Sequence, residues 1–222
     1  MSEVKYCIKN AICPLCGTEI HTYGKTGSYR TERYAFDLRC QSVELMELHG
    51  SLHHCSNCGY VFNEEDKTPA NAGETIQTEA YKTCDGLNFG IEHTTVEKYY
   101  KYALIQLQSE NFYGAFYAFL FGAWVCDDRK KKELSVIMRK KALEVFDILW
   151  EKDEISEGFY LVRADLLRRV GDFETVIKDY SNFDRVCFRD DRVMIARIQV
   201  MLAKDYQDDR CHYIPDYSAL LS

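Results

Sequence analysis

The pattern of apolar and polar positions changes near residue 68. Before it, short alternating pieces such as Ser28-Tyr29-Arg30-Thr31-Glu32-Arg33-Tyr34 and Gly59-Tyr60-Val61-Phe62 lie among Gly, Thr and Cys, which predicts short strands and turns. Residues 69–92 carry recurrent turn formers, from Pro69 and Asn71 to Asp85, Gly86 and Gly90, and read as a linker holding one short helix over 74–83. Beyond it the spacing of apolar residues becomes helical.

Thr95 is a candidate cap for a first long helix whose Tyr99, Tyr102, Ala103, Gln106 and Leu107 share one face and which ends near Glu110 and Asn111. A second, over 112–126, is apolar nearly all round, as in a helix sandwiched between others. A third covers 131–150, with Leu134, Met138, Ala142, Val145, Phe146 and Leu149 on its inner side. A fourth, over 155–170, stops at Gly171 and Asp172, where glycine suits the end of one helix and aspartate the start of the next. The fifth and sixth cover 173–180 and 189–204. Residues 103–115 and 164–176 echo each other, each placing a small residue, a helix end, a polar residue and Phe, which is the grammar of tetratricopeptide repeats.

Composition narrows the class. With 46% apolar and 28% charged residues and three prolines, the 222-residue chain has the makings of a helix-rich folded core. Its net charge of -7 argues against a nonspecific grip on DNA or RNA, which rests on cations displacing counterions from phosphate. Residues 111–126 form the longest uncharged run, short of the roughly 20 apolar residues that a membrane span needs. No apolar stretch follows the N-terminus in the manner of a secretory signal, so the expectation is a cytoplasmic protein with no membrane partner.

Four of the ten cysteines form two copies of one motif, Cys13-Pro14-Leu15-Cys16-Gly17 and Cys55-Ser56-Asn57-Cys58-Gly59. Two residues between thiolates let both sulfurs of a tight turn reach one ion, and the glycine accepts the unusual backbone angles that follow. Two such knuckles complete a tetrahedron. The expected ligands are therefore Cys13, Cys16, Cys55 and Cys58, the expected ion is Zn2+ with iron left open, and the expected role is structural, because four sulfurs leave no position for water or substrate. Such an ion contributes on the order of 10 kcal/mol to folding a piece with a small apolar core. Cys40, His49, His53 and His54 lie between the knuckles and are open as substitute or additional ligands.

Other chemistry is not expected. Gly24-Lys25-Thr26 has Glu19 where a phosphate loop needs its first glycine. The pairs Asp127-Asp128 and Asp190-Asp191 read as helix-end charges. No catalytic residue is assigned, and the chain is not expected to be an enzyme.

A Cys-Pro-x-Cys-Gly knuckle, a second knuckle followed by Tyr60, the pair Ala123-Trp124, the segment Leu166-Leu167-Arg168-Arg169-Val170-Gly171-Asp172-Phe173 and a last helix reaching Lys204-Asp205 follow one another in this order. The order resembles an uncharacterised bacterial family that joins an N-terminal zinc ribbon to C-terminal TPR-like helices. The resemblance covers most of the chain and implies architecture and zinc, with no catalytic residues. The fold expected is α+β: a small zinc ribbon of short antiparallel strands over 1–68, the linker over 69–92, and an all-α TPR-like domain over 93–222. The function expected is binding or scaffolding of a protein or peptide on the helices, where Tyr99, Tyr102, Tyr113, Tyr117 and Tyr160 supply aromatic contacts. The alternative is nucleic-acid binding through the ribbon by Lys25, Arg30, Arg33 and Arg39, a field diluted by Glu19, Glu32, Asp37, Glu44 and Glu47.

Overall fold

The structure is a computed structural model and describes residues 5–26, 39, 48, 50–90, 94–152, 155–185 and 190–209. The architecture is α+β, with short antiparallel strand pairs first and helices after them. Strands β1 (Lys5–Ile12) and β2 (Glu19–Thr26) form a hairpin in which Lys5 faces Thr26 and Ile12 faces Glu19. Strands β3 (His53–His54) and β4 (Val61–Phe62) form a second, much shorter one. The helices are α1 (Ala72–Thr75), α2 (Glu79–Thr83), α3 (Thr94–Gln108), α4 (Phe112–Asp128), α5 (Lys132–Glu151), α6 (Glu157–Arg169), α7 (Phe173–Tyr180) and α8 (Asp190–Lys204). Single 3-10 turns lie at Cys84–Gly86 and Phe183–Arg185.

The six long-helix expectations agree with α3 to α8 to within about two residues, the usual uncertainty of helix ends. Two details differ. The 74–83 helix is two helices, α1 and α2, because the Thr78 side chain accepts the amide of Tyr81 and starts a new one. Thr95 is a buried residue inside α3, which already begins at Thr94, rather than the residue before it. The face of α3 is also wider than the periodicity suggested: Tyr100 and Ile105 are as buried as Tyr99 and Ala103, because the helix packs on more than one side. The piece at 28–34, read as a strand, lies outside the described residues.

Contacts divide the described residues into two compact units, with the boundary at Met138 and Arg139, inside α5; Arg39 belongs with the second unit. In the first, the core beneath the strands is built from Ala11, Ile20, Tyr60, Phe62, Ala72, Ile76, Tyr81 and Ile105 together with Cys13 and Cys55. Tyr81 is a strap, its hydroxyl accepting the Val61 amide at 3.0 Å and donating to the Gly59 carbonyl at 2.8 Å. Helices α3 and α4 pair through Tyr100 against Phe119 and Tyr99 against Phe121, ring centroids 5.6 and 6.1 Å apart. Gly122 lets them close up: a Cβ there would meet the Tyr99 Cβ at 3.3 Å and the Met138 Cε at 2.2 Å.

In the second unit, Leu161, Ala164 and Leu167 of α6, Val176 and Tyr180 of α7, Phe183, and Ala196, Val200 and Ala203 of α8 make one core. Beside it Arg168 is buried as a hub. Its guanidinium donates to Asp165 Oδ1 at 2.9 Å, to Gln199 Oε1 at 2.7 Å, and to the carbonyls of Gln207 and Asp209, both at 2.7 Å. These bonds satisfy a charge that would otherwise be costly to bury, and they tie residues 207–209 to α6.

One turn recurs. At the ends of α3, α4, α6 and α8, the residues Glu110, Lys130, Gly171 and Tyr206 have φ of 59°, 57°, 87° and 54°. Each donates to the carbonyl three residues back, and the next residue, Asn111, Lys131, Asp172 or Gln207, donates to the carbonyl five residues back at 2.9 Å. This is the Schellman closure of a helix end. Asn111 and Asp172 then cap the following helix at once, accepting the amides of Gly114 and Thr175 at 3.1 and 3.2 Å. The echo between 103–115 and 164–176 is this closure written twice; the copy at Lys130 has no glycine or asparagine to announce it.

A left-handed residue with a side chain costs about 1–2 kcal/mol, and glycine there raises the entropy of the unfolded chain by about 0.4–1 kcal/mol. Glu110→Gly and Lys130→Gly are therefore each expected to stabilise the protein by about 0.5–1 kcal/mol, read as higher denaturant midpoints in urea unfolding followed by circular dichroism.

Candidate metal centre

Each knuckle is the connection of a hairpin, 13–18 between β1 and β2 and 55–60 between β3 and β4. The two are closed by the same bonds. The amides of Cys13 and Cys55 donate to the carbonyls of Thr18 and Tyr60, and the amides of Gly17 and Gly59 donate back to the carbonyls of Cys13 and Cys55, all at 2.9 Å. Gly17 and Gly59 have φ of +73° and +77°, and a Cβ at either would meet nothing within 4 Å, so glycine is required by the backbone angle alone.

The closure brings four sulfurs together from distant parts of the chain. Cys13 Sγ lies 3.7 Å from Cys58 Sγ, Cys16 Sγ lies 3.6 Å from Cys55 Sγ, and all four are within 4.8 Å of one another. All four are free thiols. A tetrahedron of sulfurs at metal–sulfur bonds of about 2.3 Å has edges of about 3.8 Å, which the two contact distances match. Among the described residues, no other group of three or more His, Cys, Asp or Glu side chains converges in this way. The donor set and its spacing therefore fit a tetrahedral metal ion, the remaining sulfur pairs being within 4.8 Å.

The four thiols are not equivalent. Cys13 and Cys55 are fully buried, Cys58 is half-buried and Cys16 is exposed. Burial pushes the Cys58 thiol up to about 12 and also raises that of Cys13, against the opposing pull of backbone amides directed at both sulfurs. Cys16 goes the other way, to about 5, because the Thr18 hydroxyl, the Thr18 amide and the Asn57 side chain gather on its sulfur. Asn57, in the opposite knuckle, donates to Thr18 Oγ1 at 3.1 Å and lies 3.7 Å from Cys16 Sγ, so it fastens one knuckle to the other. Nothing in the spelling of either knuckle marks Asn57 or Thr18 for this task.

The remaining candidates stay apart from this group. His53 is buried with Nδ1 2.5 Å from Thr22 Oγ1 and Nε2 3.7 Å from Glu64 Oε1, its ring edge-on to Phe62; His54 is exposed on the same strand. Cys40 and His49 lie outside the described residues, as do Arg30, Arg33 and the side chain of Lys25 among the cations considered for a nucleic acid; Arg39 is buried. Gly24-Lys25-Thr26 is part of β2 and not a loop before a helix. Asp127 accepts a bond from the Ser135 hydroxyl at 2.6 Å, in keeping with a helix-end charge. Of the five tyrosines expected to supply aromatic contacts, Tyr99 is buried, Tyr102 donates to Asp66, Tyr160 packs against Tyr180 and stacks on Phe183, and Tyr113 and Tyr117 are exposed. No helix is long and apolar enough to cross a membrane among the described residues.

A family model described as an uncharacterized protein conserved in bacteria (DUF2225) matches residues 6–199. The chain belongs to DUF2225. No curated protein and no solved structure matches it. The span shared with DUF2225 holds both knuckles, the helix ends at Glu110, Lys130 and Gly171, and all but the last residues of α8.

Two outcomes follow for this DUF2225 site. Alanine at Gly17 or Gly59 meets only the backbone penalty of about 1–2 kcal/mol, so for any tetrahedral metal ion that the four sulfurs hold, each variant is expected to lose about tenfold in affinity in a competition titration with a chelating dye. At pH 7 the raised thiols of Cys13 and Cys58 hold protons that a metal must displace, whereas Cys16 is already a thiolate. Metal binding is therefore expected to release protons, with affinity rising by about two decades or more per pH unit around neutrality, measured by calorimetry in buffers of different ionisation enthalpy.

Proposed function

We propose that this protein is a zinc-binding, non-catalytic module that docks a protein or peptide partner on its helices. The observation that carries the reading is the convergence of four sulfurs at tetrahedral spacing, two of them fully buried. Zinc suits a four-thiolate set, and four protein ligands leave it no place for water or substrate. The ion would act as a clasp, in the manner of a zinc ribbon, for hairpins of which the second has only two residues in each strand. Reduced thiols of this kind belong to a reducing compartment, which for a bacterial protein is the cytoplasm.

For the helices, the support is the repeated closure with an immediately following cap, which stacks antiparallel helices as TPR-like units do. Tyr113 and Tyr117, one turn apart on α4 and 38% and 40% exposed, offer aromatic surface to a partner.

The full-length chain is expected to be purified with one zinc, and cobalt in its place should show the spectrum of a tetrahedral four-thiolate site. A five-coordinate or mixed-ligand spectrum would mean an open position, and an equally folded metal-free chain would remove the clasp. Tyr113→Ala with Tyr117→Ala should leave zinc content and helicity unchanged while cross-linking to partners in cells falls; unchanged cross-linking would refute this docking face.

A further inference from the structure

The arrangement of the four sulfurs has an asymmetry that a purely structural clasp does not need. Within a group whose four sulfurs all lie within 4.8 Å of one another, two contacts run across the knuckles, Cys16 to Cys55 at 3.6 Å and Cys58 to Cys13 at 3.7 Å. Each contact joins an accessible sulfur to an inaccessible one: Cys16 is exposed and Cys55 fully buried, and Cys58 is half-buried and Cys13 fully buried. We propose that Cys16 is an oxidation site for peroxides, and that its oxidation runs on to two disulfides across the knuckles, Cys16 to Cys55 and then Cys58 to Cys13, with loss of the ion. The inference rests on the zinc reading above and adds a reactant, an order and a pairing to it.

Access decides where a peroxide reacts, because its oxygen must approach the sulfur in line with the bond that breaks. Of the four cysteines only Cys16 is exposed, with Thr18 and Asn57 lying against its sulfur. The Cys16 thiolate attacks one peroxide oxygen: a sulfur–oxygen bond forms, the oxygen–oxygen bond breaks, and the departing oxygen leaves as hydroxide or alkoxide and takes up a proton. Sulfur is oxidised to a sulfenic acid and the peroxide is reduced. The Cys55 thiolate then attacks the Cys16 sulfur, a sulfur–sulfur bond forms, and the sulfenic oxygen leaves as water after protonation. Cys55 needs no access to solvent for this, since its partner is already in contact.

Loss of two ligands weakens the hold on the ion and opens the site. A second peroxide molecule meets Cys58 next, the more accessible of the remaining pair, and Cys13 completes the second disulfide. Each bridge joins one knuckle to the other, so the oxidised chain keeps both hairpins fastened by covalent bonds in place of the ion. Cys84 and Cys126 are buried and away from this group, so they do not compete for the first step.

The test is a time course of hydrogen peroxide on the zinc-loaded full chain, with released zinc followed by a metallochromic dye and cysteines mapped by mass spectrometry with a sulfenic-acid trap. The trap is expected on Cys16 first. A Cys16–Cys55 peptide bridge should follow together with release of the zinc, then a Cys58–Cys13 bridge, and a thiol reductant with added zinc should reverse both. Bridges within a knuckle, Cys13–Cys16 or Cys55–Cys58, would overturn the pairing. First trapping at another of the four cysteines, or zinc retained after Cys16 is oxidised, would overturn the mechanism. A chain that carries no zinc before peroxide is added would instead overturn the metal reading itself, and that result is read at the start of the time course.

Discussion

The first unit depends on the meeting of two sulfur pairs that lie 45 and 39 residues apart for the contacts Cys13 to Cys58 and Cys16 to Cys55. A hairpin with two residues in each strand does not hold its shape in water alone, and β3 and β4 form such a hairpin. Their register is set by the knuckle between them, and the knuckle is held by its partner. The core continues outward from this point: Cys13 and Cys55 pack with Ile20, Tyr60 and Phe62, and then with Ile76 just after α1, Tyr81 of α2 and Ile105 of α3. Tyr81 carries the coupling explicitly, since its hydroxyl bonds the backbone at Gly59 and Val61, on either side of the end of the second knuckle.

A different constraint organises the helices. Consecutive helices here are joined by as few as three residues, and the connections this short after α3, α4 and α6 close the old helix on a left-handed residue and, at two of them, cap the new helix with the next residue. Glu110 with Asn111 and Gly171 with Asp172 perform these tasks in the same way. Where no further helix follows within the described residues, at Tyr206 and Gln207, the same closure is used as a terminus, and Arg168 secures it by bonding the carbonyls of Gln207 and Asp209. The Arg-Arg-Val-Gly-Asp-Phe segment thus combines a buried hub, a left-handed turn and a cap within six residues.

The sulfur cluster and the helix ends share a dependence on positive φ, and they meet it differently. Both knuckles use glycine at the left-handed position. Three of the four Schellman turns do not, and their Glu110, Lys130 and Tyr206 are held there by the two hydrogen bonds that close the turn. Bonds that over-determine a conformation can carry a residue of the wrong type, at some cost in stability.

Some of this was legible in the residues alone. That these four cysteines would cluster followed from the repeated knuckle, because the distance between sulfurs in a tight turn is a local property, and six helices followed from apolar spacing that local geometry also sets. The hairpin of β1 and β2 left a weaker trace, since its exposed Ile8 and Ile12 break the alternation that a half-buried strand should show. The division of the chain inside α5, the burial of Tyr100 and Ile105, and the third copy of the turn at Lys130 depend on which segments pack together, and no local pattern encodes that. The same holds at the sulfur cluster. Sequence determined which four thiols meet; only the tertiary structure decided that Cys16 faces solvent, that Asn57 reaches it from the other knuckle, and that the contacts run across the pair of knuckles, because exposure and contact between distant residues exist only once the chain has folded.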